Sequence, residues 1–498
     1  MPSPLYIAVD LGAGSGRVFL AGFDDEFLLD EVHRFRYPPY FDGQFLRWKF
    51  ESIFDEIKSG LRQAGTTASA LGRKIASIGV DSWGVDYGLV GANGELVADP
   101  ICYRDSRTDD AMMRVFSIVP RDEIFEKTGV QFQKFNTLYQ LFSEVESLLM
   151  LLLIPDLINY FLTGKAATEY TNATTTQMVN ARTGKWDTDL IDRVGLSNRP
   201  LKDIIPAGTR LGPLLPEIAE ATGLRDVHVI APGTHDTASA VAATPLTDGS
   251  AYISSGTWSL IGIERDAPLI TPEAAQVNFT NEGGVYNTFR FLKNVMGLWI
   301  FESCRKEWLA DGNSVEYDAL IHDAAMIVGF PGFIFPDDER FLNPESMLDA
   351  IDTQLWETGQ QYEDDPAIIT KIIFDSLAFR YASVLRSIES LTNSRLARIE
   401  IVGGGGRNRY LNQSTANVSG LPVRSGLTEA TVVGNLLVQA IASGRFESLS
   451  DARNYVASEI KFETFIPQAA SGFSEAEASY LMIEERFETR SPVHPAAK

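Results

Sequence analysis

Cysteine and histidine are scarce in this chain of 498 residues, which has two of the first and five of the second. Cys102 and Cys304 lie far apart in the sequence, and neither belongs to a CxxC pair. This usage excludes a disulfide scaffold and a cysteine-type zinc site, and it is typical of a reducing compartment. The HExxH pattern of zinc hydrolases is also absent from the sequence.

Positive charge is in deficit. Lysine and arginine number 43 against 66 aspartates and glutamates, which gives a formal charge of −23. Nucleic acid and anionic membrane surfaces repel such an acidic chain, so we expect neither as a partner. An anionic substrate would need a local site of backbone N–H groups, arginine or a metal ion.

Long hydrophobic runs are lacking too. The strongest run, Leu148–Ile154, ends at Pro155, far short of the roughly 20 residues that span a bilayer, and we interpret it as a buried helix. The opening residues Met1–Pro4 lack the basic region of a secretory signal. We therefore expect a cytoplasmic protein.

A strand–turn–strand pattern occurs twice in what is present. Strands over Tyr6–Val9 and Val18–Ala21 flank the turn Gly12–Gly16, and strands over Ala251–Ser254 and Trp258–Ile263 flank a second turn of small residues. The length predicts two or three domains. The simplest architecture is two similar α/β halves that face each other across a cleft.

Other segments have clear periodicity. Apolar spacing predicts a helix over Phe50–Leu61. A buried apolar run predicts a strand over Ile75–Asp81, and alternation of apolar and charged residues predicts another over Arg398–Val402. The sequence from Tyr87 to Val97 contains an Asn-Gly turn and predicts a hairpin. A helix is expected from Arg409, after four consecutive glycines.

The first turn, Asp10–Arg17, has the composition of a phosphate-binding loop. Glycines let backbone N–H groups approach an anion, Asp10 could hold hydrated Mg²⁺, and Arg17 could offset phosphate charge. A dinucleotide-binding turn is the rival reading, but the spacing is GxGxG and a strand follows where that fold requires a helix. A plain hairpin turn is the third reading. The GxxxxGK[ST] motif is absent from the sequence, which excludes an ordinary P-loop.

Asp236 is the candidate catalytic base. It follows Pro232-Gly233 at the predicted start of a helix, where a positioned carboxylate can accept a proton from a substrate hydroxyl. The alternative is an ordinary helix cap, since aspartate is favoured there for stability.

Further clusters of small or polar residues each have two possible interpretations, one as a ligand site and one as ordinary structure. The turn Ser254–Ser259 suits a terminal phosphate or a simple hairpin, and Gly403–Gly406 suits an adenosine or a close strand–helix contact. Asp81–Asp86, Tyr103–Thr108 and Asn136–Gln140 suit sugar hydroxyls or solvated loops with internal ion pairs.

Taken in order, these motifs resemble the FGGY carbohydrate kinases over about residues 5–470. The motifs that carry the resemblance are DLGAGSGR from Asp10, SIGVDSWGVDY from Ser77, YRDSRT from Tyr103, FNTLYQL from Phe135, EYTNATTTQ from Glu169, HDTASA from His235, SSGTWSL from Ser254, NEGG from Asn281, LKNVMGLW from Leu292 and IVGGGGRN from Ile401. The resemblance implies two ribonuclease-H-like domains of the actin-like ATPase type, facing each other across a catalytic cleft. The expected domains are 1–245 for the sugar site and base, 246–470 for the nucleotide, and a C-terminal helix and tail over 471–498.

The resemblance also implies residue roles. Asp236 would activate the 1-hydroxyl of a ketose, and Asp10 would hold Mg²⁺ through water. ATP would be bound by Ala13, Gly14, Ser15, Gly16, Arg17, Thr257, Gly403, Gly404 and Gly405, and the sugar by Gly84, His235, Asp236, Thr237 and Asn294. Glu302 is also expected to contact ATP, although the family has a glutamine at this place. The segment Leu141–Ile154 is shorter than expected from relatives.

The expected activity is therefore ATP-dependent phosphorylation of a ketose, with L-rhamnulose favoured by the motifs WGVDY, FNTLYQL, TNATTTQ and KNVMGLW. L-fuculose and L-xylulose are alternative substrates. A non-catalytic, actin-like ATP-binding regulator is an alternative of another class, although such a protein needs no proton acceptor. We expect a monomer or a homodimer.

Overall fold

The computed structural model describes residues 3–24, 26–144, 148–198, 200–313, 316–468 and 472–488. The strands are β1 Leu5–Gly12, β2 Ser15–Phe23, β3 Phe27–Arg36, β4 Tyr40–Phe41, β5 Leu46–Arg47, β6 Ile75–Ser82, β7 Tyr87–Val90, β8 Met150–Leu153, β9 Thr168–Glu169, β10 Val179–Asn180, β11 Lys185–Trp186, β12 Ile204–Ile205, β13 Thr209–Pro213, β14 His228–Ala231, β15 Ser250–Ser255, β16 Trp258–Arg265, β17 Thr280–Gly283, β18 Phe289–Met296, β19 Arg398–Val402, β20 Val423–Ser425 and β21 Glu463–Phe465. The helices are α1 Phe50–Ala70, α2 Ala111–Phe116, α3 Arg121–Thr128, α4 Thr137–Phe142, α5 Ile154–Thr163, α6 Tyr170–Ala173, α7 Thr188–Arg193, α8 Pro216–Thr222, α9 Asp236–Ala243, α10 Pro272–Gln276, α11 Trp299–Ala310, α12 Tyr317–Met326, α13 Met347–Glu357, α14 Pro366–Thr392, α15 Arg409–Ser419, α16 Ala430–Ala442, α17 Leu449–Glu459 and α18 Phe473–Glu488.

Two large mixed sheets form the scaffold. The first has the order β13-β14-β6-β1-β2-β3 and the second β17-β18-β16-β15-β19-β20-β21. In each sheet the central strand, β1 or β15, pairs antiparallel with the strand that follows it and parallel with a later one, β6 or β19. The two halves therefore share one strand topology, and the α/β fold with two similar halves is confirmed.

The strand β1 lies inside the first sheet and is covered on both faces. One face packs on α1 and α5 through residues such as Ile7 and Val9. The opposite face, with Tyr6 and Ala8, packs on α16 and α17 from the second half of the chain. A strand covered on both faces has a continuous apolar sequence. For this reason the run Tyr6–Val9 is recognisable as a strand from the sequence.

The two halves interlock through the helices α9 and α16. A Cβ atom built on Gly434 would lie 1.7 Å from the backbone oxygen of Ser239, so only glycine allows these helices to approach so closely. Buried amides continue the contact: Gln439 donates to the Ile7 carbonyl at 2.9 Å and accepts from the Ser77 hydroxyl at 2.7 Å. The second half of the chain thus completes the packing of the first sheet.

One local prediction was wrong. The run Leu148–Ile154 is not a buried helix: Leu148 is 78% exposed, Met150–Leu153 is the strand β8, and Pro155 lies in the first turn of α5. The predicted hairpin is present in part. Leu96 forms an antiparallel bridge to Val90, and the Val97 N–H donates to the Leu89 carbonyl oxygen at 2.9 Å, but the second arm is not a strand, and β7 pairs along its length with β8. A short apolar run does not distinguish strand from helix, and its partner lies some sixty residues away.

The other predicted elements are present, including the strands on both sides of the two turns and the helices that begin at Phe50, Asp236 and Arg409. Residues 145–147 of the short segment Leu141–Ile154, and residues 471 and 489–498 of the expected C-terminal region, lie outside the described residues. Within the described residues, none of the helices combines the length and apolar character that a membrane span requires.

Candidate active site

A cavity of about 380 Å³ lies between the two sheets and is lined from both halves of the chain. Each half contributes the turn that follows its central strand, because equivalent ends of β1 and β15 face each other. The predicted site residues in the lining are Asp10, Ala13, Ser15, Arg17, Gly84, His235, Asp236, Thr237, Thr257, Asn294, Gly403 and Gly404. The cleft expected from the sequence therefore exists and contains most of the residues predicted for it.

Four predicted site residues do not line the cavity. Gly14 belongs to the first turn and Gly16 packs beneath the ring of Phe35, while Gly405 lies against the side chain of Ser255. Glu302 is on α11, where its carboxylate accepts from Arg305 at 2.9 Å. A nucleotide contact by Glu302 stays a prediction, and Arg305 is a competing partner for its charge.

Three backbone segments could bind phosphates or a nucleoside. The turn between β1 and β2 and the turn between β15 and β16 approach the cavity from opposite sides. A third segment follows β19, where Gly403 has φ +84 and a Cβ atom there would lie 2.8 Å from the Ser255 carbonyl oxygen. A side chain would therefore be strained at this position and would separate the segment from the second turn.

Arg17 already has two acidic partners. It pairs with Asp10, which lies opposite it in the β1–β2 register, and with Glu429, the residue before α16. Its Nε donates to Asp10 Oδ2 at 3.1 Å. A phosphate group that binds Arg17 must therefore compete with both carboxylates.

Asp236 is at the start of α9 and its side chain is 30% exposed, so it faces the cavity. Its Oδ1 accepts from the backbone N–H and hydroxyl of Thr237, at 2.5 and 3.1 Å, and lies 3.4 Å from His235 Nε2. Burial, together with the charge of Asp10, raises the pKa of Asp236 to about 7. A carboxylate with a pKa near 7 is suited to general-base catalysis at neutral pH.

Asn294 is held by a residue that the sequence did not single out. The Gln131 side-chain oxygen accepts from the backbone N–H of Asn294 at 3.0 Å and from its amide at 2.9 Å. Both residues line the cavity, close to the aromatic rings of Phe135 and Trp258, which contact each other edge to face. A sugar site requires hydrogen-bonding side chains for the hydroxyls and an aromatic face for the C–H surfaces, and both are present here.

The polar clusters divide into site and scaffold. Tyr103 and Asn136 line the cavity. Asp86 instead holds two tryptophans beside the cavity. Its Oδ2 accepts from the indole N–H groups of Trp48 and Trp83, at 2.7 and 2.9 Å. Burial raises the pKa of Asp86 to about 6. We therefore assign Asp86 to the packing of these tryptophans, while Asp81 lies next to Asp10.

The carboxylates around Asp10 provide a test of the expected magnesium site. Asp81 is opposite Asp10 in the β1–β6 register, is fully buried, and has one oxygen without a hydrogen-bond partner. Burial and the charges of Asp10 and Asp236 raise the pKa of Asp81 well above its usual value. Among the residues that the structure describes, no group of three or more histidines, cysteines or carboxylates could by itself hold a metal. This donor set fits Mg²⁺, which usually keeps several waters and binds through one or two carboxylates and substrate phosphates.

Two mixed α/β sheets of equal topology, with a cleft between their central turns, define the ribonuclease-H-like fold of the actin-like ATPases. The family model for "FGGY family of carbohydrate kinases, N-terminal domain" matches residues 5–243, and the model for the C-terminal domain of the same family matches residues 251–443. The chain belongs to the FGGY family of carbohydrate kinases. The family and the fold class expected from the motifs are thereby confirmed.

Similarity to individual proteins supports this membership. The chain is 40% identical over 475 residues to "Rhamnulokinase" from Oceanobacillus iheyensis, covering 94% of this chain and 99% of that one. It is also 40% identical over 480 residues to "Rhamnulokinase" from Bacteroides thetaiotaomicron, covering 95% and 97%. The crystal structure of gluconate kinase from Lactobacillus acidophilus has the same fold, with a TM-score of 0.80, 17% identity and 97% coverage of both chains.

Proposed function

We propose that this chain is a rhamnulokinase, which transfers the γ-phosphoryl group of ATP to the 1-hydroxyl of L-rhamnulose. The observation that supports the chemistry is that Asp236 lines a cleft together with residues of two glycine-containing turns, one from each half of the chain. The choice of sugar rests on relatives of that name at 40% identity over nearly the whole chain.

Asp236 is the proposed general base, and its two oxygens have different tasks. Oδ1 is held by Thr237, whereas among the described residues no hydrogen bond to Oδ2 is formed. Oδ2 therefore accepts the proton of the sugar hydroxyl as that oxygen bonds to phosphorus. The bond between the γ-phosphorus and its bridging oxygen breaks, and its electron pair leaves with ADP.

The nucleotide is proposed to lie across both halves of the chain. Backbone N–H groups of Ala13–Arg17 and the Thr257 turn bind the phosphates, and the segment Gly403–Gly405 lies along the adenosine. Asp10 would hold Mg²⁺ through water, and the ion would neutralise charge on the phosphate oxygens. Since phosphoryl transfer is accelerated chiefly by positioning and electrostatics, the alignment of these groups supplies most of the catalysis.

The sugar is proposed to bind between Gly84 and Asn294, with His235 and Thr237 beside its reacting end. Gln131 holds Asn294 at two points, so the orientation of this amide is fixed before the sugar arrives. A site with fixed polar groups discriminates against a misplaced hydroxyl by about 1–3 kcal/mol for each buried group left unpaired.

The organisation of the chain is part of the proposal. Residues 1–245 form the domain with the base and the sugar site, residues 246–470 form the nucleotide domain, and residues 471–498 form the C-terminal helix and tail. The protein acts as a monomer or homodimer in the cytoplasm.

The test compares kcat/KM of the purified protein for L-rhamnulose, L-fuculose and L-xylulose with MgATP. We expect L-rhamnulose to have the highest value, with the phosphate on oxygen 1 of the product. A higher value for another ketose would overturn the choice of sugar but keep the kinase. ATP binding with no phosphorylated product for any sugar would favour a regulatory protein.

A further inference from the structure

A buried chain of side chains leads from the second half of the protein to the base. Arg290 on β18 is fully buried, and its Nε donates to the Gly283 carbonyl oxygen at 3.0 Å. One terminal nitrogen of Arg290 lies 3.0 Å from Glu282 and also 3.0 Å from His235 Nδ1. The other ring nitrogen of His235, Nε2, lies 3.4 Å from Asp236 Oδ1.

Hydrogen-bond chemistry determines the tautomer of His235 in this chain. Burial and the nearby Arg290 charge hold the pKa of His235 well below its usual value, so the ring is neutral at neutral pH. A neutral imidazole has one donor and one acceptor nitrogen, and a guanidinium only donates. The nitrogen that faces Arg290 must therefore be the acceptor, and the proton is on Nε2, toward Asp236.

We propose that Arg290 is a positioning residue for the catalytic base, acting through His235. By fixing the Nε2–H tautomer, Arg290 turns an N–H group and not a lone pair toward Asp236 Oδ1, 3.4 Å away, and leaves Oδ2 for the sugar hydroxyl. Glu282 neutralises the guanidinium, which makes the burial of Arg290 possible. Because Arg290 and Glu282 belong to the second half of the chain, the base is oriented from across the cleft.

Without Arg290 the opposite tautomer would be favoured. Glu282 Oε2 lies 3.4 Å from His235 Nδ1 and would accept a proton from it once the guanidinium is gone. Nε2 would then present a lone pair to the Asp236 carboxylate, and this repulsion would turn the base away from its working orientation. The consequence is a specific change at one ring nitrogen, which a general loss of packing does not produce.

The experiment is ¹⁵N NMR of the ligand-free protein labelled at histidine, with the His235 signals identified by their loss in His235→Gln. Five histidines in the sequence keep the spectrum simple. We expect an unprotonated Nδ1 in the natural protein and in Arg290→Lys, which keeps a cationic donor, and a protonated Nδ1 in Arg290→Met. The matched control is Arg453→Lys, since Arg453 also pairs with a glutamate and contacts α9 through the Val241 carbonyl; it should leave His235 unchanged.

A second arm rests on the proposed function. In Arg290→Met we expect kcat with L-rhamnulose to fall about tenfold or more, because the base is misoriented, while KM for ATP stays within about twofold. Protonated Nδ1 in the natural protein, or an unchanged Nδ1 in a folded Arg290→Met, overturns the inference. If Arg290→Met does not fold, the spectrum of the natural protein still decides. Absence of kinase activity would refute the proposed function only, since the NMR arm needs no sugar.

Discussion

Among single residues, the proposed chemistry depends most on Asp236 and on the groups that surround its carboxylate. Asp236 is next to His235 and Thr237 in sequence. Thr237 donates to its Oδ1, and His235 Nε2 lies 3.4 Å from the same oxygen. Burial and the negative charge of Asp10 raise its pKa, while a helix start fixes its direction. Asp236 is not the N-cap of α9, which is His235, and it lines the cleft together with two glycine-containing turns.

Replacing Asp236 with asparagine should remove turnover but not nucleotide binding. The amide keeps the volume and can still accept from Thr237, but it cannot take a proton at neutral pH. We expect kcat to fall by about 10²–10⁴-fold, with the Kd for ATP within a few-fold of the natural protein, measured by steady-state kinetics and calorimetry. The control is Asp122→Asn, since that side chain is 91% exposed. Near-normal kcat in Asp236→Asn would mean that another group is the base.

The raised pKa of Asp236 predicts the pH dependence of the reaction. A base must be ionised to accept a proton, so kcat/KM should increase with pH and level off above the pKa of about 7. The acidic limb is measured with saturating MgATP and limiting sugar between pH 5 and about 9. A flat profile across neutrality would contradict this assignment.

At the scale of elements, the contact between α9 and α16 connects the base to the second half of the chain. Asp236 begins α9, Glu429 immediately precedes α16, and Gly434 touches Ser239 in the middle of the contact. Displacement of α16 would therefore change both Asp236 and the acidic partner of Arg17.

Gly434→Ala should destabilise the protein and disturb the site together. The new Cβ atom would collide with a backbone oxygen that cannot rotate away, so we expect a loss of about 3 kcal/mol in the free energy of unfolding. The matched control is Gly65→Ala in α1, where the nearest atom, 2.9 Å away, is the end of the flexible Leu224 side chain; its effect should stay within about 1 kcal/mol. Denaturant unfolding measures both, and equal effects would contradict the packing argument.

Secondary structure is predictable from the sequence where neighbouring residues determine it. The strands around Gly12–Gly16 and Ser255–Thr257 are recognisable because a turn of small residues separates two apolar runs. Leu148–Ile154 was misread because its pairing with β7 depends on residues distant in sequence. For the same reason Arg290, which acts through contacts between strands and a distant loop, has no local signal, and Gln131 has none either. Glu282 lies in the quoted NEGG motif, but its charge pairing is visible only in three dimensions.

At the scale of the whole molecule, the first sheet depends on the second half of the chain. Tyr6, Ala8 and Phe19 on one face of this sheet pack against Leu436 and Leu437 of α16. Arg17 adds an ion pair to Glu429 across the same boundary. We therefore expect that the two halves do not fold independently, although they share one topology.

A fragment of residues 1–245 should fail to fold on its own. Without α16 and α17, one apolar face of its sheet would be exposed to water, which favours aggregation. We expect an insoluble fragment or one without a cooperative unfolding transition by circular dichroism. Co-expression with residues 246–498 should restore a soluble complex. A soluble fragment that unfolds cooperatively would show that the interlock is dispensable.

In the proposed reaction Asp236 takes the proton from a ketose hydroxyl as that oxygen receives the γ-phosphoryl group. Its most direct test is ³¹P NMR of the natural protein and Asp236→Asn, each mixed with MgATP and L-rhamnulose. We expect ADP and a sugar 1-phosphate in equal amounts with the natural protein, and neither with Asp236→Asn over the same time. A sugar phosphate formed equally fast by both proteins, or ADP released with no sugar phosphate, would contradict it.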